Sequence, residues 1–116
     1  MARWATTATF DRRYRKLSHD QKAAFKRAAL ALSAEIDANG FAFKSGGPLD
    51  LHLYSGFVSP PSVWSMDWGT GNNHRAIFTV ENGDIVMWRF LGAHDEVDRW
   101  QHETGPKGLQ APGLAD

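Results

Sequence analysis

The residues best suited to chemistry lie in the second half of the chain. Arg75 lies near the start of a strand-like segment, Asp67 lies in the segment before it, and His94 follows shortly after the next one. Metal-free RNA cleavage needs a base for the 2′-hydroxyl, a cation on the phosphorane and an acid for the leaving oxygen. Histidine can act as acid or base near neutral pH, and arginine can bind two phosphate oxygens without losing its charge. We therefore interpret Asp67, Arg75 and His94 as a candidate catalytic set, in which Asp67 is the base or orients a histidine.

Three further residues are candidates for binding a substrate. His52 alternates outward from the leucines on either side of it and could reach the same cleft, although exposed strand histidines are common. The Trp88 ring could stack on a base, and the Arg89 guanidinium could support a phosphate.

The other assignments also have structural alternatives. His94 could simply start the last helix, and Arg75 could pair with Asp67 across neighbouring strands. Trp88 could pack in the core or against a partner protein. The aliphatic part of Arg89 could pack on the core side with its charged group at the edge.

Composition limits the classes of function. Thirteen Lys and Arg residues balance thirteen Asp and Glu residues, so the whole chain has no net attraction for a polyanion. The basic segment at residues 12–27 could still form a local patch, or only a solvated helix face. The chain has no cysteine, which excludes disulfides and thiolate chemistry, and its histidines lack metal-ligand spacing. We expect no metal and no cofactor.

No apolar segment approaches the roughly 18–20 residues that span a bilayer. The first residues also lack a signal-type apolar stretch. A cytoplasmic protein without membrane contact is the expectation.

Two helices are predicted in the first third of the chain. Ser18 and Gln21 have the spacing of a capping box, apolar residues follow at helical intervals to Ile36, and Asn39-Gly40 predicts the end. Residues 10–17 predict a shorter helix before it, so the two form an N-terminal helical hairpin. Residues 4–9 could form an edge strand.

The remainder predicts strands. Apolar and polar residues alternate at 49–54 and 64–68, and two further strands, 74–80 and 85–91, flank Asn82-Gly83. A two-residue loop there would pair Val80 with Ile85 and place Trp88 on the sheet face away from the helices. We predict an α+β domain over residues 1–103, with the helical hairpin packed on a small, mainly antiparallel four-stranded sheet and a short C-terminal helix. Residues 104–116 are expected to form a flexible tail.

The order of these segments resembles the RelE/ParE superfamily of bacterial type II toxins. The resemblance covers about residues 7–100 and rests on residues 10–17, 63–68, 74–80 and 85–97, which include Gly92-Ala93-His94-Asp95-Glu96. It implies a compact α+β toxin that is neutralised by a cognate antitoxin protein. The RelE branch cleaves mRNA on the ribosome without metal, whereas the ParE branch inhibits DNA gyrase.

The resemblance also suggests residue roles. Arg75 falls where ribonuclease members hold the scissile phosphate, and His94 falls where several members keep a general acid or phosphate contact. Ser65 and Asp67 stand where other members carry catalytic lysines, so lysine chemistry is not expected. We expect a RelE-like endoribonuclease toxin; the alternatives are a ParE-like gyrase inhibitor and a non-catalytic member that acts by binding protein.

Overall fold

The computed structural model describes residues 3–41, 43, 45–47, 49–54, 62–69 and 74–104. Its elements are β1 (Arg3–Thr6), α1 (Ala8–Arg15), α2 (His19–Asn39), β2 (His52–Tyr54), β3 (Val63–Asp67), β4 (His74–Glu81), β5 (Ile85–Ala93) and α3 (His94–Thr104). This confirms the α+β class. The predicted tail lies outside the described residues, except that residue 104 ends α3. Within the described ranges, no helix combines the length and apolar character needed to cross a bilayer.

The two N-terminal helices begin at side-chain caps. The Thr7 hydroxyl accepts the Phe10 N–H at the start of α1. At the start of α2 the predicted capping box is present, since Ser18 and Gln21 each bind the backbone of the other. The helix ends at Gly40, whose φ of 71° suits a residue without a Cβ.

The sheet has five strands in the order β1-β5-β4-β3-β2. The pairs β2–β3, β3–β4 and β4–β5 are antiparallel, whereas β1 pairs with β5 in parallel. The prediction of four strands is therefore wrong, and the sheet is mixed. The extra strand is the N-terminal segment, which ends at Thr6 because Thr7 already caps α1.

The β4–β5 loop is longer than predicted. Glu81 pairs with Ile85, so the loop contains Asn82, Gly83 and Asp84. The first two have positive φ angles of 52° and 79°, and the Asp84 N–H donates to the Glu81 carbonyl. The predicted pairing of Val80 with Ile85 is wrong by one residue, and such a shift exchanges the two faces of a strand.

Further along β5, a β-bulge shifts the pairing of β5 with β4 by one more residue. Phe78 pairs with Trp88 and Ile77 with Phe90, which leaves Arg89 as the extra residue. As a result, Trp88 and Leu91 both lie on the face toward α1 and α2, while Phe90 lies on the other face.

Buried side chains cover both faces of the sheet. The helix-side core packs α1 and α2 against residues that include Phe78, Val86 and Trp88. The α3-side core consists of Val63, Ile77, Phe90, Val97 and Trp100. The sheet face away from α1 and α2 is therefore packed against α3 at these residues.

Candidate functional site

Four polar side chains meet at one end of the sheet, and we call them the Asp50 cluster: Asp50, His52, Asp67 and Arg75. Arg75 is the second residue of β4 and is the register partner of Asp67 at the end of β3. Arg75 Nη1 lies 3.1 Å from Asp50 Oδ2 and 3.8 Å from Asp67 Oδ1. His52 Nε2 lies 3.2 Å from the same Asp50 oxygen. One carboxylate thus joins the predicted cation to one of the predicted histidines.

Sequence reasoning missed Asp50. The residue has a φ of 47°, and its N–H donates to the Gly47 carbonyl in a turn that precedes β2. Aspartate is one of the few residues that enter this left-handed region readily. Because Asp50 lies between two leucines, the sequence predicted it to be a polar residue of an alternating strand. The only signal for a turn at this position was the residue type itself.

Accessibility differs within the Asp50 cluster. The Arg75 and Asp67 side chains are only 14% and 16% exposed, whereas His52 is 48% exposed. Among the described residues, Asp67 Oδ1 is buried without a hydrogen-bond partner, because its 3.8 Å distance from Arg75 Nη1 is too long for one. The imidazole therefore faces solvent while the guanidinium is held behind it by two carboxylates.

The charges in the cluster affect the titration of Asp50. The hydrogen bond from Arg75 holds the pKa of the Asp50 carboxyl below its ordinary value of 3.8, against the opposing effect of desolvation. The His52 imidazole lowers the pKa further. Because the folded-state pKa is lowered, the ionised carboxylate stabilises the fold above its ordinary pKa, and this stabilisation is lost as the pH falls through the folded-state pKa.

Asp50→Asn should therefore destabilise the protein at about pH 7 but not in strong acid. Asparagine keeps the left-handed turn and removes the charge, and solvent screening limits the expected loss to about 1 kcal/mol. Urea unfolding of both proteins at about pH 7 and about pH 2.5 measures the difference, which should shrink in acid. Asp37→Asn, on the exposed side of α2, is the control. An equal difference at both pH values would show that the carboxylate charge contributes nothing.

His94 lies apart from these contacts. It is the first residue of α3 and is 54% exposed, and its Nδ1 lies 3.4 Å from Asp98 Oδ2. The register partner of Arg75 is Gly92, two residues before His94, so both lie at the same end of the sheet. Among the described contacts, none is a hydrogen bond or ion pair between His94 and the Asp50 cluster.

Two predicted substrate contacts are in the interior. Trp88 is 3% exposed, and its ring centroid lies 5.0 Å from that of Phe25 in the helix-side core. Arg89 is 1% exposed; its guanidinium donates to Thr79 Oγ1 at 2.9 Å and to Glu81 Oε1 at 3.0 Å. Both assignments to substrate binding are therefore wrong, because the shift in register and the bulge bury these side chains.

A second polar connection, between α1 and α3, was also missed. Arg13 Nε donates to the carbonyl of Leu91, a residue of β5 that lies past the end of its pairing with β1. Arg13 Nη2 donates to Glu96. Glu96 also accepts the Ala93 N–H, and this bond, followed by that from Arg13, lowers the pKa of Glu96. A Cβ at Gly92 would lie 2.7 Å from Arg13 Nη2, so a larger residue there would make the Arg13 guanidinium shift.

In the described part of the chain, no group of three or more His, Asp and Glu side chains is arranged to hold a metal ion. No family model, no curated protein and no solved structure matches this chain.

Proposed function

We propose that this protein is the toxin of a type II toxin–antitoxin system, a RelE-like endoribonuclease that cleaves mRNA on the ribosome without metal. The observation that carries the proposal is the shared Asp50 oxygen, which binds both the half-exposed His52 imidazole and the Arg75 guanidinium. An oriented histidine beside a permanent cation supplies two of the three groups that RNA cleavage needs.

The cluster suggests a role for each side chain. His52 exchanges a proton with the substrate, and Asp50 orients the ring through its 3.2 Å contact. Arg75 holds the phosphate, which must compete with two carboxylates for the guanidinium. His94, at the exposed start of α3, is the remaining candidate for the second proton-transfer group. His52 is thus proposed as a catalytic residue, whereas the sequence suggested only a substrate contact.

The order of elements adds support. After β1, two helices and the antiparallel strands β2 to β5 lead to Gly92-Ala93-His94-Asp95-Glu96, which is the order on which the RelE/ParE resemblance rests. A toxin of this kind acts in the cytoplasm and is neutralised by a cognate antitoxin protein.

One observation favours a second candidate, a ParE-like inhibitor of DNA gyrase or a non-catalytic member that binds protein. Arg75 is neutralised by two carboxylates, and the chain as a whole carries no net charge. Ribosomal RNA would gain little long-range attraction to such a surface, whereas a protein partner does not require it.

Induced expression in a bacterial host tests the proposal. We expect translation to stop and messages to be cleaved. With purified protein and an RNA substrate, we expect His52→Ala and Arg75→Lys to lower the cleavage rate by about 100-fold or more. Lysine keeps the charge of Arg75 but loses the two-pronged contact with phosphate. His19→Ala and Arg27→Lys, both on exposed positions of α2, are the matched controls.

Each alternative has its own result. A DNA-damage response with filamentation would indicate gyrase inhibition, and the absence of any growth defect would indicate a non-catalytic member. Cleavage by folded His52→Ala at the wild-type rate would remove the nuclease mechanism proposed for the Asp50 cluster.

A further inference from the structure

A cavity of about 280 Å³ lies on the helix side of the sheet, between the α1–α2 junction and the start of β4. We call it the junction cavity. Residues 74 and 75 are neighbours in β4, and neighbouring strand residues point to opposite faces. The cavity is therefore separated by the sheet from the Asp50 cluster. The side chains that matter for its chemistry are Arg13, Lys16, Gln21, Trp68, His74 and Glu96.

The charges around the junction cavity favour an anion. Arg13 and Glu96 form an ion pair with each other. Lys16, at the C-terminal end of α1, is exposed and forms no ion pair within the described residues. One positive charge is left over, beside the side-chain amide of Gln21, whose N–H groups can also donate to an anion.

Two residues of the cavity wall carry buried polar atoms, Trp68 Nε1 and His74 Nδ1, that have no hydrogen-bond partner among the described residues. Trp68 is 5% exposed. The ring centroids of Trp68 and His74 are 5.1 Å apart. An indole N–H can only donate, and leaving a buried donor unpaired costs free energy. A ligand with an acceptor on a flat ring could satisfy it if the two rings shift toward the cavity.

We propose that the junction cavity binds a nucleoside monophosphate unit, with the phosphate at Lys16 and the base toward Trp68 and His74. The phosphate supplies the negative charge, and a nucleobase supplies ring acceptors together with flat faces that can pack on Leu17. A simple aromatic acid lacks the ring acceptors, and a sugar phosphate lacks the flat apolar surface. This site does not depend on the nuclease proposal, because it uses none of the residues of the Asp50 cluster.

Calorimetric titration of the full chain with adenosine 5′-monophosphate tests the site. We expect saturable 1:1 binding in the calorimetric titration and a change in tryptophan fluorescence when the same titration is followed by fluorescence. Lys16→Glu should weaken binding by about tenfold or more, because it reverses the charge that meets the phosphate. Lys26→Glu changes the net charge equally, but residue 26 does not line this cavity, so its affinity should match the wild type.

Trp68→Phe removes the indole N–H and keeps an aromatic ring. It should weaken binding by about fivefold and abolish the fluorescence change. If this core substitution lowers stability, the affinity of the exposed Lys16→Glu variant still tests whether the junction cavity binds the mononucleotide. The natural ligand could be a free nucleotide or a nucleotide within an RNA strand, and a short oligonucleotide distinguishes the two. Tighter binding of the oligonucleotide than of the mononucleotide indicates an RNA strand. Weaker binding indicates a free nucleotide.

Three results would overturn the proposal. The first is no saturable binding of the mononucleotide to the wild-type chain. The second is equal affinity for inorganic phosphate and the mononucleotide, since the base would then contribute nothing. The third is unchanged affinity in Lys16→Glu.

Discussion

Arg89→Ala is expected to lower the free energy of unfolding by about 3–5 kcal/mol. The Arg89 side chain is 1% exposed and is bound to Thr79 and to Glu81, which is itself only 17% exposed. Removing one partner of a buried ion pair leaves the other charge in a region that water reaches poorly. The loss follows from that uncompensated charge more than from the missing attraction.

Urea unfolding of Arg89→Ala beside Arg3→Ala measures the effect. Arg3 forms a 3.0 Å ion pair with Asp84 in the same part of the sheet, but the two side chains are 66% and 48% exposed. Exposed pairs contribute little because water screens them, so Arg3→Ala should unfold near the wild-type midpoint. Similar midpoints for the two variants would show that burial of the Arg89 pair has no energetic consequence.

Trp100→Ala should also destabilise the protein by about 3–5 kcal/mol. The ring is 6% exposed and stacks on Phe90 at a centroid distance of 5.3 Å. Within the described residues the α3-side core has five members, and Trp100 and Val97 are those that α3 provides. The loss should therefore fall mainly on the attachment of α3 to the sheet.

Amide hydrogen exchange locates this loss. Protection in α3 should fall more than protection in α2, which packs on the opposite face. Trp4→Ala is the control, since that ring also stacks on a buried ring, Trp88, but is 40% exposed. An even loss of protection in both helices would contradict a separate role for the α3-side core.

The fold was predictable where the signals are local. The Ser18–Gln21 capping box and the glycine at 40 defined α2 correctly, because each acts within one helical turn. The loop around Asn82-Gly83 was located correctly but given the wrong length. Since both loop lengths use these residues, the sequence did not determine the register, and the one-residue error moved Trp88 to the wrong face. The bulge at Arg89 becomes evident only when β5 is paired with β4.

Part of the site was predictable from the pairing of neighbouring strands. The approach of Arg75 to Asp67 follows from two neighbouring antiparallel strands, and it was among the alternatives considered. Asp50 contacts Arg75 across 25 residues through a left-handed turn. Alternation of apolar residues carries no information about such a turn, so the residue that joins the cluster was missed.

The parallel pairing of β1 with β5 also has a consequence for synthesis. The partner of β1 lies at residues 85–88, so β1 cannot pair until those residues have been synthesised. At translation rates of roughly 5–20 residues per second, this interval is about 4–16 seconds. The antiparallel strands β2 to β4 can pair as they emerge, whereas a chain that stops before β5 leaves its N-terminal strand without a neighbour.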